Sequence, residues 1–112
     1  MEQYQELVNA LKAIWDCPFA ENGWTTRPKA DSWGVVALDF EADSLHGDHV
    51  KLARAYEGSV DLFSRKKDGD GHIQMIETAL TSVCEGCWRL NSHQWERNEG
   101  IFHWEWVFQV ED

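Results

Sequence analysis

The chain has 112 residues, with 20 Asp and Glu against 10 Lys and Arg, a net charge of −10 and a hydrophobic content of 43%. That length suits one domain, 1–112, around one core, and that apolar content excludes a wholly disordered chain. The acidic balance disfavours phosphate backbones and anionic lipid surfaces, since no basic run exceeds Arg65-Lys66-Lys67. No specific nucleic-acid binding is expected.

No apolar run reaches the ~18 residues of a membrane-crossing helix, and the first residues read as an amphipathic segment rather than a secretory leader. With an odd number of cysteines, three, the expected setting is a reducing compartment without a membrane.

Residues 1–15 place Tyr4, Leu7, Val8, Leu11, Ile14 and Trp15 at helical spacing, so one apolar stripe runs along an amphipathic helix that Pro18 brings to an end. Residues 16–32 carry Pro18, Gly23 and Pro28 and read as an irregular connector. At about 17 residues it is long for a compact domain, which leaves room for a short strand or for packing through Phe19 and Trp24. Ser32–Glu41, SWGVVALDFE, reads as a first strand, Ala42–His49 as a polar loop, and Val50–Arg65 as a second strand in which Gly58 marks a bulge or bend. After the turn KKDGDG, residues 72–83 set Ile73, Ile76, Leu80 and Val83 on one side of a second helix, with Gly86 as its stop.

The last stretch, Trp88–Val110, reads as a hairpin. Phe102, Trp104, Trp106 and Phe108 recur at every second position, and Val110 continues the series, so one face of the final strand is heavily aromatic. A three-residue loop of Asn98, Glu99 and Gly100 sets Trp95 opposite His103 and His93 opposite Glu105 on a polar face. On the other face it sets Glu96 opposite Phe102, Gln94 opposite Trp104 and Leu90 opposite Phe108. The expected fold is α+β, in the order α-β-β-α-β-β: a four-stranded, mainly antiparallel sheet with two helices packed on one face.

Four aromatic side chains represent ~600–1,000 Å² of surface. At ~25 cal/mol/Å² that is on the order of 15–25 kcal/mol of gross stabilisation, against a net stability of ~5–15 kcal/mol, so this face must be covered. Trp106, Phe108 and Val110 are expected in the core. Phe102 and Trp104 lie near the hairpin tip, where two covers remain open: the chain's own Phe19–Trp24 segment, or a neighbouring molecule.

Chemical motifs are sparse. Cys84-Glu85-Gly86-Cys87 has the spacing of a redox dithiol or half a zinc site, but it ends a helix, where the dipole raises rather than lowers a thiol pKa. Two ordinary half-buried cysteines are the expectation. His46 and His49 flank Asp48 in a loop and carry no fuller ligand pattern. DGDGHIQMIE starts like a calcium loop, but Ile73 stands where Gly is needed and Ala79 where Glu is needed. With neither a nucleophile in a strained turn motif nor a Gly-rich phosphate loop, the expected protein is non-enzymatic and cofactor-free.

Gly58–Leu80 followed by Trp88–Val110 resembles tail-terminator or tail-completion proteins of long-tailed bacteriophages. The likeness rests on an aromatic-ended strand, a polar turn, a short helix, and a hairpin in which Ser92, Trp95, Glu96, Gly100, His103, Trp104 and Trp106 stand at the matching places. It implies a virion structural protein, assembled in the host cytoplasm, that caps the tail tube as a ring, usually of six, and docks the head connector. Its partners would be itself, the tube protein and the connector. A ring needs two different contact surfaces. On this reading the hairpin tip, with Trp95, Phe102, His103 and Trp104, is one of them, and the loop with Leu45, His46, Asp48 and His49 faces the tube or lumen. Acidic walls would keep passing DNA from sticking. The competing expectation is a small acidic cytosolic binding module, of inhibitor or immunity type, that uses the aromatic tip on a single partner.

Overall fold

The computed structural model describes residues 2–41 and 55–111. The expected lumen-facing residues Leu45, His46, Asp48 and His49 lie outside the described residues, as does the 50–54 part of the second expected strand.

Helix α1 (Glu2–Lys12) buries Tyr4, Leu7, Val8 and Leu11, the stripe read from the sequence. It stops short of Trp15, which is 89% exposed. The last turn tightens, with the Ile14 N–H donating to the Leu11 carbonyl, and the chain then turns to bury Cys17. The connector does contain a strand, β1 (Phe19–Glu21), running parallel to β2 (Ser32–Glu41). β3 (Ala55–Ser64) pairs antiparallel with β2, and a short 3-10 turn over Gly69–Gly71 leads into α2 (His72–Cys84). The hairpin is β4 (Trp88–Glu96) and β5 (Ile101–Glu111).

The sheet is therefore five-stranded and mixed, in the order β1-β2-β3-β5-β4, rather than four-stranded. The added strand depends on Gly34. A Cβ at that position would overlap the Phe19 ring, so glycine leaves the space in which the first side chain of β1 is buried. The Gly34 N–H donates to the Pro18 carbonyl and the Asn22 N–H to the Val36 carbonyl, each at 2.9 Å.

One core lies between the helices and one face of the sheet. Leu7, Leu11, Ile76 and Leu80 from the helices meet Val36, Val60, Leu62, Trp106, Phe108 and Val110 from the strands. The indole N–H of fully buried Trp106 donates to the Glu77 carboxylate at 2.9 Å, so even the polar atom of this side chain is satisfied by α2.

The bulge expected near Gly58 lies across from it, in β2: Leu38 pairs with Gly58 and Phe40 with Glu57, leaving Asp39 as the extra residue. Gly58 has a second role. It sits directly opposite Phe108, whose ring lies over it, and a Cβ there would overlap that ring and the Ala37 carbonyl oxygen. Gly58→Ala is expected to cost ~1–3 kcal/mol through overpacking. Urea unfolding checks this as a lowered midpoint at unchanged slope.

The hairpin register differs from the sequence reading. The loop has four residues, Arg97–Gly100, and Glu96 pairs with Ile101. The Glu99 and Gly100 N–H groups both donate to the Glu96 carbonyl, and Gly100 takes a positive φ of 67°. This one-residue shift moves the β4 side chains from Ser92 to Glu96 to the other face. Trp95 thus sits opposite Phe102, on the helix side of the sheet, and not on the polar face with His103. A bulge between Leu90 and Ser92 then shifts the register once more, so that Leu90 pairs with Trp106 and Trp88 with Phe108.

Candidate functional site at the terminal hairpin

The four residues expected to form one surface are divided by the sheet. On the helix side, the Trp95 ring lies 4.3 Å from Phe102, Phe102 lies 6.1 Å from Trp104, and His93 stacks on Trp104 at 4.7 Å. Trp104 is only 3% exposed within the single chain and belongs to the core cluster. Of the two covers left open by the sequence, the chain's own serves Trp104, but not through Phe19–Trp24: His93 of the neighbouring strand lies on the ring, while Phe19 packs on Gly34 at the far side of the sheet. Phe102 is half-buried and Trp95 is 47% exposed. The outward aromatic surface of the tip is thus Trp95 with the uncovered part of Phe102.

His103 points to the opposite, helix-free face. Its ring stacks on Phe63 at 4.2 Å, and Phe63 stacks on Trp33 at 5.8 Å. Arg27 and Arg65 lie over Trp33 at 5.1 and 5.8 Å, and Arg27 also pairs with Glu99 of the hairpin loop at 2.9 Å. The segment after β1 thereby ties down the hairpin tip, helped by the Trp24 indole N–H on the Gly34 carbonyl. These contacts explain why Trp33 is 4% exposed although no described helix covers that face.

Beyond this stack the face turns acidic. His103 Nε2 is 2.7 Å from Asp61 Oδ1, and Nδ1 is 3.6 Å from Glu96 Oε1. The Asp61 hydrogen bond raises the His103 pKa above its ordinary value, desolvation opposes it, and the Asp61, Glu96 and Glu105 charges add to the rise. Asp39 is also raised, by partial desolvation first and then by repulsion from Asp61, Glu105 and Glu57; a Ser59 hydrogen bond opposes this. A carboxylate crowded by three others holds its proton more tightly. Among the described residues, no group of three or more His, Cys, Asp or Glu side chains is placed to hold a metal ion.

One further arrangement carried no sequence signal. His72, fully buried at the start of α2, has Nδ1 3.0 Å from the Gly69 carbonyl and Nε2 2.9 Å from Asp16 Oδ1. The His72 hydrogen bond holds the Asp16 carboxyl below its usual range. Asp68 accepts from the Asp70 N–H, so the acids of the DGDG run include a turn cap. In the C-x-x-C, Cys84 is buried and Cys87 exposed, and both are free. Burial pushes Cys84 up to about 12, the state of an unreactive thiol.

No described helix is long and apolar enough to cross a membrane. Compared with protein-family models and with curated proteins, the chain matches none.

The ion pairs set a pH dependence with a definite sign. His103 is raised above 6.5, so its stabilising contribution is complete below that value and is lost as pH rises through the folded pKa. Asp16 is lowered from 3.8, so its contribution is present above that value and is lost as pH falls through the folded pKa. Asp39, raised, works against stability once ionised. Urea unfolding at about pH 6 and about pH 9 should show the wild type losing stability on the alkaline side relative to His103→Gln. Equal losses in both proteins would remove His103 from the account.

Proposed function

We propose that this chain is a non-enzymatic structural protein of the tail-terminator type, which assembles as a ring on a phage tail tube and docks the head connector. The support is the resemblance of Gly58–Leu80 and Trp88–Val110 to such proteins; the α+β class agrees with it, while β1 adds a strand to the α-β-β-α-β-β order expected. The observation that carries it is Trp95. A tryptophan half exposed on an edge strand, beside a half-buried Phe102, has the character of a contact surface. Tryptophan is among the residues that most often dominate interface energy. The acidic balance agrees with a passage that DNA must cross without adhering.

On this reading Trp95 and Phe102 meet a neighbouring subunit, Trp104 holds the strand that presents them, and His103 fixes the tip from behind through Asp61. Electron microscopy of the protein mixed with tail tubes should show rings at the tube ends. Trp95→Ala should abolish capping and lower stability by only ~1 kcal/mol or less, the loss of one cross-strand aromatic pair. Trp104→Ala should lose ~3–5 kcal/mol of stability, as a cavity in the core does. A protein that stays monomeric and leaves tubes uncapped would fit the single-partner binding module instead, and tight DNA binding at physiological salt would count against both.

A further inference from the structure

The hairpin also presents the outer edge of β4, of which the ring reading uses only Trp95. β4 is the outer strand of the sheet, and all nine of its residues are exposed or half-buried, whereas its neighbour β5 alternates with buried positions. Leu90 is 46% and Trp95 47% exposed. A long outer strand normally carries lysine, proline or inward-pointing charge to discourage pairing. β4 has neither lysine nor proline, and its only Lys, Arg, Asp or Glu side chains are Arg89 and Glu96, near its two ends.

The bulge gives this strand a symmetric face pattern. Trp88, Leu90, His93 and Trp95 pair with Phe108, Trp106, Trp104 and Phe102, so all four lie on the helix side. Arg89, Asn91, Ser92, Gln94 and Glu96 lie on the other side, where Asn91 donates to Glu105. From residue 88 to 95 the sides therefore run the same in both directions, with Asn91 and Ser92 at the centre. A strand with that pattern pairs with a copy of itself without mismatching a side.

We propose that two copies of this chain pair antiparallel through β4 about a two-fold axis between Asn91 and Ser92, joining their sheets edge to edge. Trp88 lies opposite Trp95 of the second copy, Leu90 opposite its His93, and Arg89 opposite its Gln94. Aromatic cross-strand pairs are among the stabilising ones. Arg89 is then diagonal to Glu96 of the second copy, within reach of long side chains, and the two charges of the strand neutralise each other twice. The contact is isologous and closes at two copies, unlike a ring contact. It covers Trp95, so on the tail-terminator reading, on which this last step alone rests, the dimer is the unassembled form and opens when subunits meet the tube.

The exposed Cys87 supplies the test, because this register places it opposite Glu96 of the second copy. Within one chain the two positions lie at opposite ends of a strand, roughly 30 Å apart, too far for a disulfide. Mild oxidation of Glu96→Cys should give a covalent dimer, with peptide mapping joining Cys87 to the new thiol at position 96. Sedimentation equilibrium of the unoxidised wild type should show a concentration-dependent dimer. Leu90→Lys, at an exposed site that spares the fold, should weaken that dimer at least tenfold while keeping the wild-type circular dichroism. A wild type that remains monomeric at high concentration, a Leu90→Lys dimer of unchanged strength, or a different cysteine linkage would overturn the pairing. Tube capping is scored separately: a chain that dimerises through β4 but never caps tubes keeps this contact and sinks the tail-terminator reading.

Discussion

The aromatic face of β5 is the constraint around which this fold is arranged. Trp104, Trp106, Phe108 and Val110 project to one side of a single strand, and everything on that side is shaped to receive them. β3 offers glycine at position 58, where the Phe108 ring needs the space. α2 offers Glu77 to the Trp106 indole, and β4 lays His93 on Trp104. The helices supply aliphatic side chains for the rest. Because successive side chains alternate, a slip of one residue in β5 would drive its aromatics into solvent and Glu105 into the core, so the register of the strand is strongly fixed.

The same alternation gives the sheet two unlike surfaces. On one, apolar burial dominates. On the other, a short aromatic stack of Trp33, Phe63 and His103 gives way to Asp61, Glu105, Glu57 and Asp39. His103 stands at the boundary, stacked on an aromatic ring and hydrogen-bonded to a carboxylate. The pKa of Asp39 is raised first by partial desolvation and then by these acidic neighbours, each of which makes its ionisation harder.

Much of the fold was legible in the sequence because its long elements have strong periods. The stripe of α1, the bounds of β2, the second helix and the aromatic alternation of β5 all follow from spacing at 3.6 or 2 residues. What escaped had no period to show. β1 is three residues long, too short to show a period, and its Phe19 ring fits over Gly34. The hairpin loop is one residue longer than its Asn98-Glu99-Gly100 sequence suggested, because two consecutive N–H groups share the Glu96 carbonyl. That single residue moved Trp95 from the side of His103 to the side of Phe102 and Trp104, which leaves His103 alone on the other face. The pair of buried His72 with partly exposed Asp16 joins residues 56 apart in the chain, a distance over which no local pattern speaks.

β1 has a consequence for how the molecule behaves when concentrated. One rim of the sheet ends in a parallel strand of only three residues, which offers a newcomer very few hydrogen-bonding groups. Among the described strands, β1 covers only Gly34–Val36 of ten-residue β2, so the far rim is stepped, a short parallel strand beside a stretch of β2 that β1 does not reach. A newcomer meets a continuous edge at β4 and a broken one at β1, which favours addition from the β4 side. A protein with two long straight rims could stack into fibres from both.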